Sequence, residues 1–187
     1  MGKLKLQTQI TIDGYMDGPD GQMDWMTPEW SDDMSAYSGA LHESVDRIVL
    51  GRKLAESFIP AWAARREDPQ GETPESIAWM NDTPKIVFSR TLTEAPWENA
   101  TIVAGDLTEV VGALKAEGGD LITYGGGPLA SGLLAHGLID EVHLFVNPTA
   151  TGGGLSIFGN LDAYARLRLV SATPFECGVT ALYYAPR

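Results

Sequence analysis

The sequence predicts an α/β fold: a central, mostly parallel mixed sheet covered by helices on both faces, with an antiparallel hairpin at its C-terminal edge. Three observations predict it. Short β-branched runs alternate with helix-period patterns along the chain. Glycine or proline marks most junctions between them. The last stretch holds two strand-like runs with no helix between them.

The elements follow in order. Leu4 to Ile12 reads as a first strand, ended by Asp13-Gly14, and a Gly- and Asp-rich loop runs from Met16 to Met23 before Asp24-Trp25 and Pro28. Glu29 to Glu43 has a weak helical pattern, and Asp46 to Leu50 is a short buried strand running through Gly51-Arg52-Lys53 into a second helix. Residues 59–84, rich in Pro, Glu and Arg, are expected to form a surface excursion with one helical turn near Ile77 to Met80. Lys85 to Phe88 and Ala100 to Ala104 are strands. Asp106 and Glu109 form a capping-box pattern, Leu107, Val110, Val111 and Leu114 share one helical face, and Gly118-Gly119 stops that helix. Leu121 to Tyr124 is a strand and Gly125-Gly126-Gly127 a turn. Pro128 suits the first position of a helix that Gly137 closes. Glu141 to Asn147 is a strand, Thr151 to Gly154 a flexible loop, and Ala165 to Ser171 with Val179 to Tyr184 the terminal hairpin. One domain, 1–187, accounts for the whole chain.

Composition narrows the function. A 44% hydrophobic content over 187 residues supports one buried core and excludes wholesale disorder. No apolar run approaches the ~20 residues of a membrane span, and the opening residues lack a signal-peptide core. Cys177 has no cysteine partner in the chain, which fits a reducing cytoplasm. The net charge of −12 argues against nucleic acid and makes any gathering of arginines informative.

Tyr124-Gly125-Gly126-Gly127-Pro128 joins a strand to a helix, and Gly125, Gly127 and Ala130 meet the G-x-G-x-x-G/A spacing. Backbone N–H groups at such a helix start attract a pyrophosphate, although a plain tight turn needs the same glycines. The turn follows one of the last strands rather than the first, which argues against a simple Rossmann dehydrogenase. Two other strand ends carry positive charge, Leu50-Gly51-Arg52-Lys53 and Phe88-Ser89-Arg90. In a parallel sheet these ends share one edge, where guanidinium and hydroxyl donors would suit the 2′-phosphate of NADPH. The competing reading is scattered surface charge.

Six segments then occur in order: Ile12-Asp13-Gly14, Asp24-Trp25, Val49 to Arg52, Lys85 to Leu92, Leu121 to Pro128 and Gly137 to Glu141. With them the chain resembles the dihydrofolate-reductase family in its broad sense, specifically stand-alone proteins similar to the riboflavin-biosynthesis reductase domain. The resemblance implies the dihydrofolate-reductase-like three-layer fold, NADPH as cofactor and a homodimer. It implies an oxidoreductase acting on a pteridine- or aminopyrimidine-like substrate such as 5-amino-6-(5-phosphoribosylamino)uracil. It assigns Gly51, Arg52, Lys53, Ser89 and Arg90 to the adenosine phosphate, and Gly125, Gly126, Gly127, Pro128 and Leu129 to the pyrophosphate. Ile10, Gly18 and Trp25 would lie beside the nicotinamide, and Trp25 and Tyr124 beside the substrate.

The departures concern the substrate. Tyr124 stands where the riboflavin reductase has a glutamate, and its Asp-Asp-Pro segment is missing after Arg52-Lys53. A zinc deaminase domain would need more than one cysteine. Dihydrofolate reductase has an acidic residue where Trp30 stands and a threonine where Phe145 stands. The carboxylates nearby are Glu29, Asp32 and Asp33, of which Glu29 and Asp33 are the candidate acids. Dihydrofolate reductase proper and a non-catalytic nucleotide-binding protein are the alternatives. Asp17, Asp20 and Asp24 lack EF-hand spacing and read as a polar loop. His42, His136 and His143 show no metal-ligand spacing and read as helix-end or surface residues. No metal site is expected. Cys177 reads as an inert core residue, and Trp62, Trp79 and Trp97 as packing residues.

Overall fold

A computed structural model describes residues 1–125 and 127–187; Gly126 lies outside the described residues. The strand β1 (Leu4–Thr11) sits near the middle of an eight-stranded sheet, and its two faces differ. Leu4, Leu6 and Ile10 point to one side, and the alternate residues Lys5, Gln7, Gln9 and Thr11 point to the other.

After β1 come α1 (Asp32–His42), β2 (Val45–Gly51), α2 (Arg52–Ala64), α3 (Pro74–Asp82), β3 (Lys85–Phe88) and β4 (Ala100–Val103). Next come α4 (Leu107–Ala116), β5 (Asp120–Tyr124), α5 (Gly127–Ala135), β6 (Glu141–Asn147), β7 (Leu167–Pro174) and β8 (Thr180–Pro186). The strand order is β4-β3-β2-β5-β1-β6-β8-β7. The first six run parallel, while β8 pairs antiparallel with β6 and with β7. The carboxyl ends of six strands therefore open on one edge, as helical crossovers require.

Three apolar clusters hold the layers together. One joins Leu4, Leu6, Val49, Leu121 and Val142 to Val111 of α4 and Leu133 of α5. On the opposite face, Ile48, Leu50 and Ile122 pack against Ala55 and Ile59 of α2 and Met80 of α3. Beside them, Phe145 and Ala181 pack under Met34 and Leu41 of α1. Helices therefore cover both faces, giving three layers. Among the described residues no helix is long and apolar enough to cross a membrane.

Several elements depart from the sequence expectation. The excursion at 59–84 is mostly helical. α2 continues to Ala64 through Pro60, because Ala55 and Ile59 anchor its inner face. α3 is a full nine-residue helix started by Thr73, whose hydroxyl accepts from the Ser76 N–H at 3.1 Å, with Pro74 at its first position. Gly127, not Pro128, opens α5. Asp106 accepts from the Thr108 and Glu109 N–H groups at 2.8 and 3.2 Å, as a capping residue should. The stretch Ala181 to Tyr184 belongs to β8, inside the sheet, and the outer strands are β4 and β7.

Candidate functional site

The carboxyl edge brings together β2, β3 and β5, with their following turns. Gly125 has a φ of +34°, and a Cβ there would lie 2.7 Å from Thr8 Oγ1 and 3.1 Å from Met16 Sδ. Only glycine lets the chain leave β5 so close to β1. Gly127 then starts α5, and the first N–H groups of a helix have no partner within it. Gly51 caps α2, and a Cβ on it would meet Leu129 at 3.6 Å, so the starts of α2 and α5 lie side by side.

The positive residues at this edge are not equivalent. Arg52 Nη1 donates to Glu56 Oε1 at 2.6 Å, one helical turn along α2. Lys53 and Arg90 are exposed, and neither has an ion-pair partner among the described residues. Ser89 is buried, and its Oγ accepts from the Thr91 and Leu92 N–H groups at 3.2 and 2.9 Å. Ser89 thus shapes the turn that carries Arg90, and its Oγ also lies 3.5 Å from Thr91 Oγ1.

Two loops close over the glycine turn. Asp13 accepts from the Gly152 and Thr151 N–H groups at 2.8 and 3.3 Å and from the Thr11 hydroxyl. These bonds, the Thr11 hydroxyl foremost, hold its carboxyl below the ordinary aspartate value. Asp17 accepts from the Leu155 N–H, and the Met16 N–H donates to the Leu155 carbonyl at 2.9 Å. Leu155 reaches 3.2 Å from where a Gly127 Cβ would stand, so it roofs the first residue of α5. Residues 151–154, expected to be a free loop, are thus fastened at both ends. The polar loop 16–23 is fixed in the same way, with the Gly18 N–H donating to the Gln22 carbonyl at 2.8 Å.

Ile10 is buried in the first cluster, which also holds Met16. Trp25 is buried as well, and its indole N–H has no partner among the described residues. Asn147, at the end of β6, accepts from the Thr27 N–H at 2.9 Å and donates to Gln9 Oε1 at 2.7 Å. It ties the segment after Trp25 to the sheet.

The two candidate acids lie elsewhere. Asp33 accepts from the Ser31 hydroxyl, the Met34 N–H and the Glu176 N–H, fastening the start of α1 to the β7–β8 turn. These bonds, led by the Ser31 hydroxyl, depress its pKa and suit an ionised clamp rather than a proton donor. Glu29 is exposed and lines a shallow cavity with Trp30, Glu176 and Cys177. The β7–β8 turn is about three strand spacings from the glycine turn, roughly 15 Å.

Tyr124 does lie at the edge, and it points under α1. Its hydroxyl is 2.8 Å from His42 Nε2, and its ring stacks on Phe58 at 5.3 Å. Burial pushes its pKa well above the ordinary value. His42 lies flat on Trp79, 3.9 Å away, and burial with the nearby Lys5 charge lowers its pKa to about 4. His143 is likewise buried rather than superficial: its Nδ1 meets the Tyr37 hydroxyl at 2.8 Å and its ring stacks on Tyr183. His136 alone is exposed at a helix end, bonded to the Gly132 carbonyl. Cys177 is half-buried, 3.6 Å from Met34 Sδ. Trp62, Trp79 and Trp97 all pack on the second cluster.

Sequence reasoning missed the contacts that Asp13, Leu155, Gln7 and His42 make. Gln7 left a signal in the polar alternation Lys5, Gln7, Gln9 of the first strand, and Asp13 one in the Asp13-Gly14 end of that strand.

The RibD C-terminal domain family matches residues 2–181. The chain belongs to that family. Its relatives include the uncharacterized protein YyaP of Bacillus subtilis, 31% identical over 97% of this chain and 94% of that one. A putative riboflavin biosynthesis protein from Shewanella sp. PV-4 shares the fold, with a TM-score of 0.78, 24% identity and 99% of each chain covered. Dihydrofolate reductase from Enterococcus faecalis, solved with NADP(H) bound, shares it at a TM-score of 0.62, 16% identity, over 100% of this chain and 97% of that one.

Proposed function

We propose that this protein is an NADPH-dependent reductase of a pteridine- or aminopyrimidine-like substrate. The observation that carries the reading is the single edge at which the Gly125–Gly127 turn adjoins the start of α2 and the free Arg90. The residues fit the cofactor: glycine leaves open backbone at the helix start, and unpaired cations offset the overall charge. Gly125, Gly127, Pro128 and Leu129, with Gly126 between them, would hold the pyrophosphate. Arg90, Lys53 and the Ser89 hydroxyl would take the 2′-phosphate, and Arg52 would join them by leaving Glu56. Ile10, Gly18 and Trp25 would flank the nicotinamide, with Tyr124 on the substrate side. The bound nicotinamide supplies the hydride; the protein orients it and excludes water.

Asp33 is committed as a clamp and Glu29 lies outside α1, so neither suits the role of acid, and water is the proposed proton source. The buried face of α1 consists of Met34, Ser38 and Leu41. None is acidic, which counts against dihydrofolate reductase proper. The unpaired edge β7 exposes Leu169 and Val170, which supports a homodimer formed through that edge. The free thiol of Cys177 supports a reducing, cytoplasmic setting.

The test compares NADPH and NADH binding in wild type and Arg90→Ala. A charge-assisted hydrogen bond corresponds to roughly a 10- to 150-fold change in affinity. Arg90→Ala should lose about that much for NADPH and almost nothing for NADH. Equal losses refute the assignment, and a wild-type preference for NADH sinks the cofactor reading. NADPH oxidation with 5-amino-6-(5-phosphoribosylamino)uracil, dihydrofolate and related pterins then separates a reductase from a protein that only binds nucleotide.

A further inference from the structure

A central strand with helices over both faces should bury every side chain it carries. In β1, seven of the eight residues are buried, and Gln9 alone is not. Its neighbours on the same face, Gln7 and Thr11, are 5% and 0% exposed. The cover on that face therefore opens at a single residue, and the strand register shows why. On one side Gln9 pairs with Phe145 of β6, and Trp30 lies over that ring at 6.2 Å. On the other side the last β1–β5 pair is Gln7 with Tyr124, and the chain turns away at Gly125. Gln9 thus stands one step past the end of β5, on the face of Tyr124 and at the carboxyl edge.

The amide of Gln9 is also held in one orientation. Asn147 is 1% exposed; its Oδ1 accepts from the Thr27 N–H at 2.9 Å, and its Nδ2 donates to the Phe145 carbonyl at 3.2 Å. Turned over, Asn147 would set carbonyl against carbonyl and N–H against N–H. Its Nδ2 is therefore a donor towards Gln9 as well, and the Gln9 atom 2.7 Å away is the oxygen Oε1. With Oε1 held, Nε2 is the end left free. It donates to no group among the described residues, and it is not enclosed. Gln7 shows the contrast: its Nε2 lies 3.3 Å from Ser38 Oγ under α1, and its buried Oε1 has no partner among the described residues. A chain of bonds that starts at a backbone N–H thus ends in an outward-facing pair of N–H donors.

We propose that Gln9 is a specificity-determining residue whose Nε2 donates to a carbonyl oxygen of the substrate, and that Asn147 is the positioning residue that turns it outward. The proposal rests on the reading of this edge as a reductase site with Tyr124 on its substrate side. A ligand oxo group meets the donor. An amino group in the same place sets N–H against N–H and leaves both unpaired.

Pterin and 2,4-diaminopteridine differ in that one group, oxo against amino, and serve as the probes on the full chain. Wild type should bind pterin about 3- to 10-fold more tightly, the range for one hydrogen bond. Gln9→Leu should bind the two alike. Gln9→Glu keeps an oxygen for Asn147 and turns the other outward, so its preference should pass to the diamino probe. Asn147→Asp still accepts from Thr27 but cannot donate, so Gln9 should turn its nitrogen inward and the preference should reverse there too. A merely structural Asn147 would weaken both probes equally, which would overturn its positioning role. In wild type, NMR should show the Gln9 side-chain amide protons exchanging with water while those of Asn147 are protected. A protected Gln9 amide, equal binding of the probes to wild type, or a pterin preference that survives Gln9→Leu overturns the proposal. Should Asn147→Asp not fold, Gln9→Glu makes the same reversal with Asn147 intact. Loss of NADPH preference would remove the reductase reading, whereas probe failure with that preference intact removes only the role of Gln9.

Discussion

Leu6 and Gln7 are consecutive residues of β1, both almost fully buried, and they sit in different kinds of interior. Leu6 packs in the cluster with Leu121, Val142 and Leu133, where α4 and α5 cover the sheet with carbon. Gln7 faces α1 in a row with Tyr124 and His143, above Lys5 and below Gln9. The apolar face gains free energy from area removed from water. The polar face gains little net free energy and holds its groups in fixed directions. At its centre the sheet is thus packed by carbon on one side, while on the other the polar row of β1 runs between the apolar clusters under α1 and under α2 and α3.

Truncation should separate the two faces most sharply. Leu6→Ala leaves a cavity at a fully buried site and should cost about 2–5 kcal/mol in chemical denaturation. A cost below about 1 kcal/mol would mean that the apolar face is not the main support.

Acid should find the polar face next. Hydrogen bonding from His143, and the Lys3 ammonium, hold Glu141 at about 2, below the ordinary carboxylate value. Its contribution is complete above the unfolded pKa near 4.5 and is lost as pH falls towards about 2. His42 works in the same direction from another cause: buried neutral, it takes a proton in the unfolded chain near 6.5 but in the folded one only at about 4. Stability therefore falls as pH drops through that window. Glu141→Gln should cost about 1–3 kcal/mol at pH 7 and nothing near pH 2. His42→Gln should flatten the stability curve between pH 6.5 and 4. Leu6→Ala should shift the whole curve without changing its shape. If the shape changed for Leu6→Ala instead, the division between faces would be wrong.

A smaller effect is expected from Gln7→Leu. Replacing a buried amide that has one unpaired oxygen by carbon of similar size should alter stability by less than about 1.5 kcal/mol, in either direction. A loss of the size expected for Leu6→Ala would show that Gln7 is part of the structural core. The mildest effect should be local. Asp13→Asn weakens the hold on Thr151 and Gly152, so hydrogen exchange of those two amides should quicken while β1 and β5 keep their protection. Global acceleration would place the clasp in the main cooperative unit.

Much of this protein was legible before any coordinates. Hydrophobic period and Gly/Pro punctuation located most of the strands and helices, because those signals act within a few residues. The order of the glycine turn and the basic strand ends identified the family and the edge where they would meet. Less was legible where the signal was long-range. At Pro74 to Asp82 the Pro-, Glu- and Arg-rich composition of 59–84 masks a good N-cap at Thr73. Asp33 looked like an acid because it follows Trp30 closely, but its partner, Glu176, is 143 residues away in sequence.

The sequence alone determined that β1 has an apolar and a polar face, since alternation with period two follows from the strand itself. It also determined that a glycine turn follows β5, although the close approach of Gly125 to Thr8 came from the pairing of β1 with β5. Only the tertiary structure decided that the polar face is buried rather than wet, because that depends on α1 folding back across β1, β6 and β8. The place of the Tyr124 hydroxyl was decided there too: it lies 2.8 Å from His42 Nε2 because the end of α1 brings that ring, stacked on Trp79, to β5.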